Sequence, residues 1–421
     1  MRLLYVLATW LAFVVVFPVL ALMKKTRDGA WQRLGFYPPS AVPQGPGPRI
    51  WLHGASAGDL LALSPMIDRL RGRFPDAKVI VSTITNTGHL MARERLMKKI
   101  DAVVYAPWDL WGATRRAVRA IRPDLLVLEY TEIWPNLIRA AHRAGAKVAL
   151  TNGRFSARHL SRYRAFFCAI GNPLLDVDLF LMREEDEAER ALSLGALRQR
   201  VQVTGNTKFD ALAPLEQAVE DHALREALGV PRDAKVWIAG STHEGEEELL
   251  LEVYRRLVKD HPGLRFVIAP RYLERAERVL GLVTAAGLHG GRRSKGNPEG
   301  APVVILDSIG ELARAYRLAT LVFVGGSFTS RGGQNILEPA AQGRPVLFGP
   351  HMENFRDSVQ VLVGRGGIQV NDAEHLWRVT SDLLARPDSL GPLGDLARSA
   401  VLQVSGASDR NVEALAKLVA A

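Results

Sequence analysis

Cysteine is almost missing from this chain. Among 421 residues only Cys168 carries a thiol, which excludes an internal disulfide framework and a cysteine-rich zinc site and points to a reducing compartment. No internal repeat of roughly 20 to 50 residues is visible beyond an alternation of strand and helix patterns, so solenoids and propellers are excluded. Acidic residues are outnumbered: 44 Asp and Glu face 54 Lys and Arg, a net charge of +10. That excess favours an anionic partner such as a phospholipid, a nucleic acid or a phosphorylated substrate, without choosing among them. What is present is apolar surface, at 48% hydrophobic and 23% charged residues. The chain is long enough for two globular domains and too apolar to be disordered.

Long uncharged runs are scarce, with one exception. Residues 3–23 carry no charge and are almost wholly apolar, interrupted only by Pro18. This length predicts a helix that crosses a bilayer once, kinked at the proline. Lys24, Lys25 and Arg27 follow it, while only Arg2 precedes it. The positive-inside rule then makes residues 1–27 a single-pass anchor in the inner (plasma) membrane, with everything after it facing the cytoplasm. Trp31 and Arg33 are predicted to lie at the headgroup level, against an anionic membrane surface. A cleaved signal peptide requires a shorter apolar region and a small-residue cleavage site before Lys24, and neither is present.

After the proline-rich residues 38–48, short β-branched runs alternate with helical patterns. Residues 49–53, 79–83, 103–105, 125–128, 148–151 and 179–182 read as one series of strands; residues 236–239, 266–269, 303–306, 321–324, 346–348 and 368–370 read as a second. Strands joined by helical crossovers predict parallel sheets covered on both faces. The fold class is therefore α/β, with two Rossmann-like doubly wound domains. Residues 28–210 form the first and residues 234–421 the second, with a charged linker at 211–233. Two such domains facing each other make a central cleft at the carboxyl ends of their strands.

The chemistry-bearing stretches fall where strands turn into helices. Gly332-Gly333-Gln334-Asn335 precedes a helical pattern, so backbone N–H groups and a positive helix end suit a phosphate or ribose there, and Glu338 can accept from sugar hydroxyls. Residues 53–59, His-Gly-Ala-Ser-Ala-Gly-Asp, admit three readings. One is a nucleophile elbow around Ser56, flanked by Gly54 and Gly58. Another makes Asp59 a general base. In the third, Asp59 only caps a helix. Glu129 to Asn136 ends a strand and opens a helix at Pro135. Asp176-Val177-Asp178 has the spacing of a metal motif but leads into a strand, so it reads as a turn, and no metal is expected. Lys208 closes the first domain. In the second, residues 240–248 open a helix with Ser241 or Thr242 as cap, Arg271 offers a planar fork to phosphate, and Arg292, Arg293 and Lys295 read as solvated.

Taken together, the motifs HGASAGD, TEIWPN, GNTKFD, GSTHEGEEE, Pro270-Arg271, GEL at 310–312, FVGGS, GGQN, LEPAAQG and FGPHMENF occur in order over nearly the whole chain. This set resembles the 3-deoxy-D-manno-octulosonic acid (Kdo) transferase family. The resemblance implies a GT-B glycosyltransferase that moves Kdo from CMP-Kdo to a bisphosphorylated lipid A precursor, with inversion at the anomeric carbon, in lipopolysaccharide biosynthesis. It implies CMP binding by Pro270, Arg271, Ile309, Gly310, Glu311, Asn335, Ile336, Leu337 and Glu338. Lys208 would steady transition-state charge, and Asp59 would take the acceptor proton, with Ser56, Gly58 and Tyr130 on the acceptor side. No cofactor and no nucleic acid are implied.

Three positions depart from the family, which usually has Glu at 59, Glu at 130 and His at 334. Asp59 keeps a carboxylate one methylene shorter, whereas Tyr130 offers a neutral phenol where a negative charge is usual. Strand alternation turns Glu129 to the opposite face, so Glu132 is the candidate to replace it. Other readings consistent with these departures are a related transferase with another acceptor or sugar acid, and a CMP-sugar-binding paralogue without turnover. A serine hydrolase using Ser56 is the remaining one.

Overall fold

The computed structural model describes residues 2–22, 28–211, 221–296 and 300–420. The basic flank Lys24, Lys25 and Arg27, and part of the expected linker, lie outside these residues. The chain divides into two units, Met1–Ala211 with Ser405–Ala421, and Leu212–Val404.

The first unit is built on β1 (Arg49–His53), β2 (Lys78–Thr83), β3 (Ala102–Tyr105), β4 (Leu125–Glu129), β5 (Lys147–Gly153), β6 (Leu179–Met182) and β7 (Val201–Val203). They form one sheet in the order β3-β2-β1-β4-β5-β6-β7, with every pairing parallel. Helical crossovers cover both faces, so the central strands have no solvated side. Side-chain alternation divides them between two cores: Trp51, Leu126 and Leu128 enter one, and Ile50, Leu52, Leu125 and Val127 the other.

The second unit repeats the plan with β8 (Val236–Thr242), β9 (Arg265–Pro270), β10 (Gly290–Arg292), β11 (Val303–Ile305), β12 (Leu321–Val324), β13 (Val346–Phe348) and β14 (Gly367–Gln369). The order is β10-β11-β9-β8-β12-β13-β14, again all parallel. Each sheet has one strand more than the apolar runs predict. The additions, β7 and β10, are three-residue edge strands; β7 is mostly exposed and β10 is Gly-Gly-Arg, so neither carries a hydrophobic signal. Strand order reverses between β1 and β4 and between β8 and β12. At such a switch point two crossovers leave in opposite directions, and the carboxyl ends of the strands open into a crevice.

Two expectations are corrected. The C-terminal helix Ala407–Ala420 belongs to the first unit, inserting Val412 and Leu415 beside Leu60, Leu63 and Met66. Asp210 fastens its start, accepting from the N–H of Gly406 at 2.6 Å and of Ser408 at 2.5 Å.

The second correction concerns the N-terminus. Among the described residues no helix is long and apolar enough to cross a membrane, which overturns the single-pass anchor and, with it, the inner-membrane location and cytoplasmic orientation drawn from it. The helix Arg2–Leu22 instead packs on the first unit. Tyr5 donates to Asp109 at 2.8 Å, its ring meets Phe166 edge-on at 5.9 Å, and Phe13 lies 5.0 Å from Trp108. Arg33 is not at a lipid surface either: it is 1% exposed, donates to the carbonyl of Ile84 at 2.7 Å and lies over the Tyr105 ring. Burial holds its pKa below the usual guanidinium range.

The Asp210 clamp makes a checkable prediction. Asp210→Ala leaves two helix-start N–H groups without an acceptor, a loss of about 2 kcal/mol. Amide exchange over residues 407–420 should accelerate before the rest of the unit opens. Unchanged exchange there would show that the clamp does not hold the helix.

Candidate active site

In the first unit the switch point is lined by the ends of β1 and β4. After His53 the chain turns into the helix Ala57–Arg73, capped by Ser56. The Asp59 Oδ2 atom accepts from the Ser56 N–H at 2.8 Å and from the Ser56 hydroxyl at 3.0 Å. This reciprocal box satisfies two donors at the helix start and engages one carboxylate oxygen. The Ser56 hydroxyl is thereby turned to Asp59, none of its hydrogen bonds among the described residues is to a histidine, and the backbone of Ser56 is extended rather than strained. The nucleophile-elbow reading fails on that geometry.

Asp59, Gly58, Tyr130, Glu132, Arg154 and Lys208 all line one cavity of about 820 Å³ within this unit. Tyr130, directly after β4, sits in the left-handed region at φ 56°, where a bulky side chain costs on the order of 1 kcal/mol or more. Its N–H donates to the Thr151 carbonyl at 2.9 Å, which fixes that turn. Burial, then the nearby Glu129, pushes the phenol pKa above its usual value, so Tyr130 is neutral in the physiological range. Glu132 is 21% exposed, and its Oε2 accepts from the Trp134 indole at 2.8 Å.

Beneath this surface lies a polar network. Thr207 donates to the Asn152 Oδ1 at 2.9 Å and through its hydroxyl to the Ala62 carbonyl at 2.9 Å. It thereby pins the turn Thr207–Ala211 that presents Lys208. Asn152 and Thr151 in turn donate to Glu129. Glu129 is fully buried, and burial pushes its pKa up to about 8. At neutral pH it is largely protonated, and the carboxyl groups that line the cavity itself are Asp59 and Glu132.

The second unit builds its switch point on a bulge at the end of β8, where the register shifts between Gly240 and Thr242 and Ser241 takes φ 55°. Glu246, fully buried, opens the helix Glu246–Asp260. It accepts from four backbone N–H groups: His243 at 2.9 Å, Gly326 at 2.7 Å, Ser327 at 3.0 Å and Phe328 at 2.9 Å. Charge-assisted bonds of this kind are about twice as strong as neutral ones and hold the loop after β12 to β8. Gly325 permits the approach, since a Cβ there would stand 2.6 Å from Thr242 Cα. Sequence reasoning read residues 240–248 as a helix start capped by Ser241 or Thr242, whereas Gly245 stands at the cap position without a side-chain bond, and it missed the clamp; an acid three residues after His243 and the paired glycines 325–326 were its only signals.

The donor candidates differ in what they expose. Arg271 is exposed, and its N–H donates to the Thr242 carbonyl at 2.9 Å, joining the ends of β9 and β8. Ile309 is 88% exposed beside the left-handed Gly310. Glu311 already holds Arg293 at 3.2 Å and the Ser308 hydroxyl. Asn335 accepts from the Leu337 N–H at 3.1 Å, a local turn that leads into the five-residue helix Leu337–Ala341. Ile336 and Leu337 are buried, leaving only their backbone to a ligand. Burial raises the pKa of Glu338. Gln334 lies 3.3 Å from the Nε2 of His243, a ring whose pKa burial lowers.

Arg292 and Arg293, read as solvated, are paired instead, Arg292 with Asp307 at 2.7 Å and Arg293 with Glu311. The two aspartates with metal-like spacing have structural partners: Asp178 accepts from the Val148 N–H at 2.8 Å, and Asp176 faces Arg139 at 3.7 Å.

Two parallel α/β units, each with an open switch point, define a two-unit protein of GT-B-like build. The UDP-GlcNAc 2-epimerase from Neisseria meningitidis shares this fold, with a TM-score of 0.58 at 15% identity over 88% of this chain and 100% of that one. The 3-Deoxy-D-manno-octulosonic-acid transferase (kdotransferase) family model matches residues 28–211. A 3-deoxy-D-manno-octulosonic acid transferase of Haemophilus influenzae is 32% identical over 391 residues, 91% of this chain and 90% of that one. Its counterpart in Chlamydophila psittaci is 34% identical over 85% of this chain and 81% of that one. The chain belongs to the 3-deoxy-D-manno-octulosonic acid transferase family.

Glu129 generates a pH prediction. Its folded pKa of about 8 lies above its ordinary 4.5, so between those values the folded state holds a proton that the unfolded state has lost. Stability therefore falls as pH rises through that window. Glu129→Gln should remove this component of the slope, seen as urea midpoints for wild type and variant that converge near pH 4.5 and separate steadily toward pH 8. Parallel curves would mean that Glu129 is ionised in the fold.

Proposed function

We propose that this chain transfers Kdo from CMP-Kdo to a lipid A precursor, with inversion at the anomeric carbon, in lipopolysaccharide biosynthesis. Family membership supports the donor and the reaction class. The observation that carries the assignment of roles is the gathering of Asp59, Glu132, Tyr130 and Lys208 around one cavity at the carboxyl ends of β1 and β4.

In the proposed step, the Oδ1 of Asp59, which has no hydrogen bond among the described residues, removes the proton from an acceptor hydroxyl. The freed oxygen attacks the anomeric carbon of Kdo, and the bond to the CMP phosphate breaks with its electron pair leaving on CMP. Glu132 supplies the negative charge that faces the oxocarbenium-like centre, a task for which neutral Tyr130 and protonated Glu129 are unsuited. Lys208 and Arg271 neutralise charge developing during departure. Pro270, Ile309 to Glu311 and Asn335 to Glu338 hold the nucleotide, Ile336 and Leu337 through their backbone. The step uses no metal ion and no cofactor.

A second reading is favoured by the capping bonds on Asp59 and by the phenol at 130: a relative that takes a different acceptor, or one that holds the CMP-sugar without turnover. Incubating the full chain with CMP-Kdo and lipid A precursor and following product by mass spectrometry separates them. Kdo addition to the lipid supports the main reading; bound CMP-Kdo with no mass gain supports the second.

Asp59→Asn should lower turnover by about a hundredfold or more, with CMP binding retained. Asp59→Glu and Tyr130→Glu, which restore the family's usual residues, should turn over at least as fast as wild type. Full activity of Asp59→Asn would remove Asp59 from the mechanism.

A further inference from the structure

Below Glu132 stands a histidine that the mechanism above does not use. His53 ends β1, pairs across the sheet with Ser82 and Leu128, and is 1% exposed. Its Nδ1 lies 2.9 Å from the Ser82 hydroxyl oxygen. Its Nε2 is buried with no hydrogen-bond partner and lies 3.6 Å from the Oε2 of Glu132. A buried polar atom without a partner costs about 1–3 kcal/mol, so a histidine retained in this position invites a functional account.

The direction of the ring proton follows from its neighbours. Trp51 can only donate, and its indole N–H goes to Ser82 Oγ at 2.7 Å. Ser82 is itself fully buried, and the acceptor within reach of its own proton is His53 Nδ1. A neutral imidazole that accepts at Nδ1 carries its proton on Nε2, the nitrogen that faces Glu132. The chain Trp51 to Ser82 to His53 therefore ends in an N–H aimed at a cavity carboxylate. At 3.6 Å this contact is electrostatic. Closing by ~0.6 Å makes it a hydrogen bond, in surroundings where low polarity strengthens both.

We infer that His53 is a positioning residue for Glu132. With Trp134 on one side of Oε2 and His53 on the other, that oxygen is held from within the fold, and Oε1, which has no hydrogen bond among the described residues, is the one left to face a substrate. A shared anchor of this kind fixes a carboxylate far more tightly than one bond on a flexible side chain. The inference rests on the role proposed above for Glu132, and it explains how a carboxylate three residues after β4 can replace one missing at position 130.

The test is a double-mutant cycle on the full chain with CMP-Kdo and lipid A precursor. His53→Asn keeps a polar group near Nδ1 for Ser82 and removes the atom at Nε2; His53→Gln places an amide near Nε2. In the wild-type background His53→Asn should lower kcat about tenfold, with the KM for CMP-Kdo unchanged, and His53→Gln should recover most of that loss. In a Glu132→Gln background, already slowed, His53→Asn should have little further effect. Equal losses in the two backgrounds would overturn the inference, because His53 would then act independently of Glu132. Full activity of Glu132→Gln would overturn the role of Glu132, and any remaining loss in His53→Asn would then be structural. If Glu132→Gln is slow while His53→Asn is as fast as wild type, only the positioning role is lost.

Discussion

Parallel pairing places the carboxyl ends of all strands on one edge of a sheet, and a single reversal of strand order opens that edge at one place. The structure depends on this constraint twice. In the first unit the reversal brings His53 and the Glu129 to Glu132 turn side by side; in the second it brings Ser241 to His243 against Gly325 and Gly326. Backbone strain concentrates at the same edges. Tyr130, Asn152 and Ser241 are three of the four non-glycine residues with positive φ among the described residues, and each stands at the end of a central strand.

Strained turns persist only where neighbours hold them, and here the holders are buried carboxyl groups used in opposite ways. Glu246 gathers four backbone N–H groups and ties two strand ends together. Glu129, with only side-chain donors from Thr151 and Asn152, is pushed by burial toward its neutral form. The first organises a loop by charge; the second organises a network and contributes no charge. That difference leaves Asp59 and Glu132 as the carboxylates of the cavity, although Glu129 is nearest in sequence to the family's usual position.

Much of this was readable in the residues. Val, Ile and Leu runs marked the central strands because strands buried on both faces have no polar alternation to blur them. The glycine turns marked the strand-to-helix junctions. The edge strands β7 and β10 escaped because three polar or exposed residues carry no period. The helix Ala407–Ala420 was assigned to the wrong unit because an amphipathic stripe announces that a core exists but not which one. At the N-terminus, apolar composition was taken for a membrane span, whereas Tyr5 and Phe13 are used against Asp109 and Trp108. Arg33 and the Glu246 clamp were hard to read for one reason: key partners of each, Ile84 for Arg33 and residues 326–328 for Glu246, are backbone groups far away in sequence.

We propose that transfer is catalysed at the cavity of the first unit, where the turn carrying Lys208 is held by the Asn152 and Thr207 network. Single-turnover Kdo transfer by Lys208→Ala, measured together with its affinity for CMP, tests it most directly. The account predicts a rate lowered about a hundredfold or more with CMP affinity unchanged. A wild-type rate, or a loss matched in full by weaker CMP binding, would contradict it.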